Sequence, residues 1–184
     1  MKKHYNTFII CFTALLIAAL VMIVLTRYDV FTSKASRWEK EIKTYSEKYS
    51  LDPALIKAII RVESNFKPDA KSSANAYGLM QVTEETLRWI MMHEGDNAYY
   101  EAEDLFDPDI NIHYGCAILA RLLNEFEDLD TVLAAYNAGR SNAIKWLKDA
   151  RFSDDGVHIK RTPFYETDQY IEKVHYFYKK YKGR

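Results

Sequence analysis

The sequence predicts a mainly α protein: one helix-dominated domain with at most a short β-hairpin, preceded by a single apolar N-terminal segment. Three observations carry this. Apolar residues recur three and four positions apart over most of the chain beyond residue 36, the helical period. Asp52-Pro53 and Asp107-Pro108 pair a capping carboxylate with proline at the first helical position, a helix-start signature. The stretch 64–82 is polar and Gly-containing and leaves room for no more than a hairpin.

Phe8 to Leu25 carries no charge and follows Lys2 and Lys3; its 18 residues would span roughly 27 Å as a helix, near the bilayer core of about 30 Å. That exceeds the about 7 to 15 apolar residues of a signal peptide. The nearest small-x-small cleavage site, Ser33-Lys34-Ala35, lies well past the run. Residues 1–35 are therefore expected to be an uncleaved transmembrane anchor (span 8–25) with a short tether, and 36–184 the globular domain. Lys2 and Lys3 favour a cytoplasmic N-terminus, although Arg27, Lys34 and Arg37 stand on the other flank. Cys11 lies inside the apolar run, not behind it, and is not read as a lipid-attachment site.

Within the domain, Trp38, Ile42, Tyr45 and Tyr49 mark a first amphipathic helix. Pro53 opens a second, running to Glu63. Thr83 is placed to cap a third, with Glu84 and Glu85 in its first turn. The helix after Pro108 carries Ile112, Cys116, Leu119, Leu123 and Phe126 on one side, making Cys116 a buried thiol. A shorter helix ends at Tyr136-Asn137-Ala138-Gly139, where Gly139 suits a left-handed stop. Ser141 can cap the next, with Ile144, Trp146 and Leu147. After a polar loop over 151–163, Tyr170, Ile171, Val174, Phe177, Tyr178 and Tyr181 define the last helix.

Charge excludes some functions. The whole chain has 25 basic and 26 acidic residues, and without residues 1–35 the domain has 21 against 25. No nucleic-acid partner is expected from such a balance. The five histidines are scattered without ligand spacing, so neither metal nor cofactor is expected. Aromatics are abundant (14 Tyr, 9 Phe, 3 Trp), which suits a sugar-binding cleft and equally an aromatic core.

Glu63 is the candidate for chemistry. It stands three and four residues beyond Ile60 and Ile59, which places a carboxylate on an apolar stripe. Burial disfavours the charged form, and a carboxyl protonated near neutrality is what a general acid requires. By itself the same spacing also fits a Glu that ends its helix in water. Polar patches interrupt the helical text elsewhere, at Gly78-Leu79-Met80-Gln81, Ala135-Tyr136-Asn137-Ala138-Gly139 and Pro163-Phe164-Tyr165-Glu166-Thr167. Each also has a plain structural reading as a turn, a helix stop or a helix start.

Taken together and in order, Glu63-Ser64-Asn65-Phe66-Lys67-Pro68-Asp69-Ala70-Lys71-Ser72, Ala76-Tyr77-Gly78-Leu79-Met80-Gln81, Asp107-Pro108-Asp109-Ile110-Asn111-Ile112 with Gly115, Ala134-Ala135-Tyr136-Asn137-Ala138-Gly139, and Glu166-Thr167 with Tyr170 resemble the lytic transglycosylase domain of the soluble lytic transglycosylase, goose-lysozyme-like family. The resemblance implies a lysozyme-like helical fold. It implies an enzyme that cuts peptidoglycan glycan strands between N-acetylmuramic acid and N-acetylglucosamine, with Glu63 as acid and then base. It places Ser72, Met80, Gln81, Tyr136, Asn137, Glu166 and Tyr170 on the substrate. The chain departs from the family pattern at Asn75 (often Gly), Arg140-Ser141 (often Pro-Gly) and Asp168 (often Arg). With the anchor, the expected location is the outer side of a bacterial cytoplasmic membrane. A hydrolytic muramidase on the same scaffold, or a non-catalytic anchored glycan-binding module, remains open at this point.

Overall fold

The computed structural model describes residues 12–13, 15–23 and 34–183. The chain divides into two compact units, residues 1–38 and 39–184. In the first unit, residues 12–13 and 15–23 are helical. Among the described residues no helix is long and apolar enough to cross a membrane. The rest of the expected span (8–11, 14 and 24–25), with Cys11, lies outside the described residues.

The second unit is helical with one minimal sheet, a lysozyme-like arrangement. Its elements are α1 (Glu39–Tyr49), α2 (Pro53–Glu63), β1 (Ala76–Tyr77), β2 (Val82–Thr83), α3 (Glu84–Glu94), a 3₁₀ turn (Ala102–Phe106), α4 (Pro108–Glu125), α5 (Leu129–Ala138), α6 (Arg140–Leu147) and α7 (Tyr165–Lys182). The strands pair antiparallel, Ala76 with Thr83 and Tyr77 with Val82. The expected caps form: Asp52 accepts from Ala54 N, Thr83 from Thr86 N, and Asp107 from Asp109 N and Ile110 N. Each satisfies helix-end donors that have no partner within the helix.

α4 is the central helix. It buries Ile112, Tyr114, Cys116, Ala117, Ile118, Leu119 and Leu122 and packs against α1, α3 and α5. α2 buries Ile56, Ile59 and Ile60 and makes its most extensive contact with α7. The burial of Cys116 agrees with the sequence reading.

Four local expectations change. Leu123 is exposed and Leu122 takes its place, because a 3.6-residue period drifts off the 112–116–119 line by the last turn. Gly139 has positive φ but extended ψ (91°, 139°), so it is no left-handed stop. It is itself the N-cap position of α6, and Ser141 falls inside that helix as an exposed residue. Trp38 precedes the first helix in a turn.

Candidate active site

Glu63 closes α2, and the chain then turns through a segment in tight backbone geometry. Asn65, Phe66, Asn75 and Gln81 all have positive φ, between 50° and 63°. Such a conformation is uncommon for residues other than glycine, and for a bulky side chain such as Phe66 it is an outlier held by its surroundings. Asn75 at φ 54° takes the left-handed conformation without glycine.

Three polar side chains fix the segment. Ser64 Oγ donates to Ile60 O at 3.1 Å and Leu79 O at 2.8 Å, tying the end of α2 to the hairpin turn. Ser72 Oγ accepts from Ala76 N at 3.1 Å. Gln81 Nε2 donates to Ala70 O at 3.2 Å and Gly78 O at 2.9 Å.

Beneath them lies Asn111, fully buried in α4. Its Oδ1 accepts from Met80 N at 2.7 Å, and its Nδ2 donates to Tyr77 O and Leu105 O, each at 2.8 Å. Gly78 (φ +74°) lies so close that a Cβ would strike Asn111 and Leu105 O. Gly115 leaves room for Met80 in the same way. Sequence reading quoted Asn111 within a motif but gave it no role; its signal was a lone amide on an apolar helix face.

The hairpin, α5 and the start of α7 close around a cavity of about 490 Å³. It is lined by Glu63, Ser72, Gln81, Tyr136, Asn137 and Glu166, with Ala74, Ala76, Val82, Thr83, Thr86, Ile118, Ala138 and Gly139 completing the wall. Six of the eight sequence-predicted site residues thus meet on one cavity, although they span more than a hundred positions of chain. Met80 and Tyr170 do not line it. Met80 is fully buried against Gly115 and offers the cavity region only its carbonyl, which accepts from Tyr136 Oη at 3.0 Å. Tyr170 is buried behind Glu63 on α7. Its ring points inward from α7, whereas the family resemblance implies a substrate contact there. Asn137 is exposed and accepts from Thr167 Oγ1 at 2.9 Å, joining α5 to α7.

The electrostatics single out Glu63. Burial pushes its carboxyl up to about 7, only partly offset by the Tyr170 hydroxyl. No charged side chain among the described residues enters that balance. The carboxyl end of α2 acts in the same direction as burial, since helix C-termini disfavour negative charge. Part of the Glu63 surface still faces the cavity, so the protonated acid is within reach of a ligand. The Tyr136 hydroxyl is held well above its ordinary pKa by burial first and by Glu63 second. Glu166 is an exposed carboxyl on the far wall. Asp69 and Glu84 are not on the wall.

A second space adjoins the cavity. Its volume is about 340 Å³, it shares the wall at Thr86, Ile118, Tyr136, Ala138 and Gly139, and Trp89 and Arg140 stand on it. In the sequence Trp89 carries no motif that sets it apart from other aromatics on a helix. Among the described residues no group of His, Cys, Asp and Glu could hold a metal ion.

The transglycosylase SLT domain family matches residues 40–159. The chain is 30% identical over 172 residues to the membrane-bound lytic murein transglycosylase C of Shigella sonnei, covering 82% of this chain and 48% of that protein. Among solved structures, an inactive mutant of the lytic transglycosylase Slt from Pseudomonas aeruginosa superposes with a TM-score of 0.66 at 30% identity. The 70 kDa soluble lytic transglycosylase from Escherichia coli superposes with 0.69 at 26% identity. Each alignment covers 79% of this chain and 24% of the other. The chain therefore spans about half the length of its curated relative and a quarter of these structures.

Proposed function

The chain belongs to the transglycosylase SLT domain family, and from that premise we propose that it is a peptidoglycan lytic transglycosylase with Glu63 as its acid–base group. The observation that carries this is a carboxyl pushed to about 7 on the wall of a cavity it shares with Ser72, Gln81 and Tyr136. A binding module has no use for a buried acid at that position, whereas a general acid works best with a pKa near the operating pH.

The protonated Glu63 gives its proton to the glycosidic oxygen as the bond between N-acetylmuramic acid and N-acetylglucosamine breaks. The resulting carboxylate takes the proton of the muramic C6 hydroxyl, whose oxygen closes on the anomeric carbon. One C–O bond breaks, one forms, no water is consumed, and the product ends in a 1,6-anhydro ring. Attack from within the same sugar replaces a bimolecular step, a large entropic advantage. Ser72, Gln81 and Asn137 bind the sugars. Glu166 orients them across the cavity, and Met80 acts by holding Tyr136 through its carbonyl. The adjoining space at Trp89 suits a polymer better than a small molecule.

Membrane anchoring through residues 8–25, with the domain on the outer face of the cytoplasmic membrane, belongs to the same proposal. It is supported by the apolar N-terminal run and by a relative whose name is membrane-bound. A hydrolytic reading is favoured by one feature: Glu166 gives the cavity a second carboxyl, as inverting glycosidases require for activating water.

Mass spectrometry of peptidoglycan digested by the full-length chain in detergent separates the readings. Anhydro-muramic ends, reduced by about 10³-fold or more in Glu63→Gln, are expected. Reducing ends would establish a muramidase, and no cleavage by a folded protein would leave a binding module.

A further inference from the structure

Glu63 must be both acid and base in this reaction, and the two tyrosines beside it are not equivalent. A phenol has one proton to donate and lone pairs to accept with. Tyr136 Oη has committed its proton to Met80 O at 3.0 Å. Only its lone pairs remain for the Glu63 carboxyl; they can accept from the protonated acid and repel the carboxylate. Tyr170 Oη is also buried, and among the described residues it meets no partner in strict hydrogen-bond geometry. What it faces is Glu63, where a weak hydrogen bond from its hydroxyl favours the charged carboxyl in part. No other described acceptor takes that proton. Neither phenol ionises in the working range, because burial and then Glu63 hold both well above the ordinary value.

We propose that the two tyrosines divide the two states of Glu63: Tyr136 accepts a hydrogen bond from the protonated carboxyl, and Tyr170 tightens its weak hydrogen bond onto the carboxylate once the acid has given its own proton away. Tyr170 is thus a positioning residue that acts through Glu63 and never meets the sugar, which accounts for its place behind the cavity wall. The remaining ionisable neighbours are Glu166 at the start of α7, across the cavity, and the buried Cys116 thiol of α4, which bears on Tyr136. Neither enters the balance at Glu63.

The inference rests on Glu63 being the acid–base group, but its test needs no substrate, so an inactive protein still answers it. The probe is the ¹³C carboxyl resonance of Glu63 in the glutamate-labelled full chain, assigned with Glu63→Gln and titrated with pH. Tyr170→Phe is expected to raise the midpoint by about one pH unit, and Tyr136→Phe to lower it by a similar amount. On peptidoglycan, the alkaline limb of kcat/KM then moves up in Tyr170→Phe while kcat falls. An unmoved midpoint in Tyr170→Phe, or a shift in the same direction in both variants, overturns the proposal. If Tyr170→Phe does not fold, tyrosine ring ¹³Cζ labelling of the wild type decides. The Tyr170 signal then moves with the Glu63 midpoint, and a flat signal overturns the proposal.

Discussion

Glu63 and Asp96 are both carboxylates beside tyrosine hydroxyls, and they are displaced in opposite directions. Asp96 accepts from Tyr114 Oη at 2.6 Å and from Ala98 N at 2.9 Å, and these two bonds, in that order, hold its pKa below the ordinary range. Around it several polar groups are paired. Tyr45 Oη donates to Asp109 at 2.9 Å, Lys48 Nζ lies 2.7 Å from His113 Nε2, and His113 stacks between Tyr45 and Tyr114. Glu63 has only the weak bond from Tyr170 to set against its burial, and burial lifts it to about 7. A neighbouring phenol does not decide which way an acid moves. Solvation and formed hydrogen bonds decide it. The saturated cluster at Asp96 holds structure, while the unsaturated one at Glu63 keeps capacity for a ligand.

The sharpest way to break this contrast is to loosen the ground under Glu63. Asn111→Ala leaves Met80 N, Tyr77 O and Leu105 O without partners. Unpaired buried backbone groups of this kind should cost about 4 kcal/mol together, read as a loss of stability in urea. If the cavity then admits water, the Glu63 midpoint falls toward the ordinary carboxyl value. Stability lost with the midpoint unmoved would show that the hairpin does not keep the site dry.

Next in size is the stability effect of Glu63→Gln, which depends on pH. Glu63 has a folded-state pKa raised from 4.5 to about 7, so between those values the folded state holds a proton that the unfolded state has lost. Wild-type stability therefore falls as pH rises through that window and is level above it. The full penalty is roughly 3 kcal/mol. Glu63→Gln removes it, so thermal melting should show the variant more stable at pH 8 and close to wild type at pH 4. Equal effects at both pH values would mean that Glu63 is not held neutral by burial.

The smallest effect is expected at the other carboxylate. Asp96 has a depressed pKa, so its bonds stabilise the fold above the ordinary carboxyl value and the contribution disappears as pH falls below it. Asp96→Asn should cost under about 1 kcal/mol at pH 7, because the site is largely open to solvent, and nothing near pH 2. The pH–activity profile should not move. A shift in that profile would couple the two sites and end the contrast.

Much of the framework was legible in the chain. Asp52, Thr83 and Asp107 cap where local chemistry placed them, because a cap is settled within three residues. Gly139, Ser141 and Leu123 were misplaced because their outcome depends on neighbours. The α5–α6 junction turns at Gly139 alone, and the α4 stripe must follow what α1, α3 and α5 offer it. Glu63, Ser72, Gln81, Tyr136, Asn137 and Glu166, named through ordered motifs, line one cavity. Asn111 and Trp89 had no motif that named a role, and nothing local separates Met80 or Tyr170 from residues that touch a ligand.

The sequence by itself determined the helical period, the caps, the polar segment after Glu63, the apolar run at 8–25 and the order of the motifs. These are short-range properties, set by spacing and side-chain type. Only the tertiary structure decided that the Glu63 carboxyl is largely buried, that the Tyr136 hydroxyl donates to Met80 O while that of Tyr170 faces Glu63, and that Glu166 shares the cavity. The reason is physical. Desolvation and the direction of a hydrogen bond are set by atoms brought together from α2, the hairpin, α5 and α7, and their separation along the chain carries no trace of that meeting.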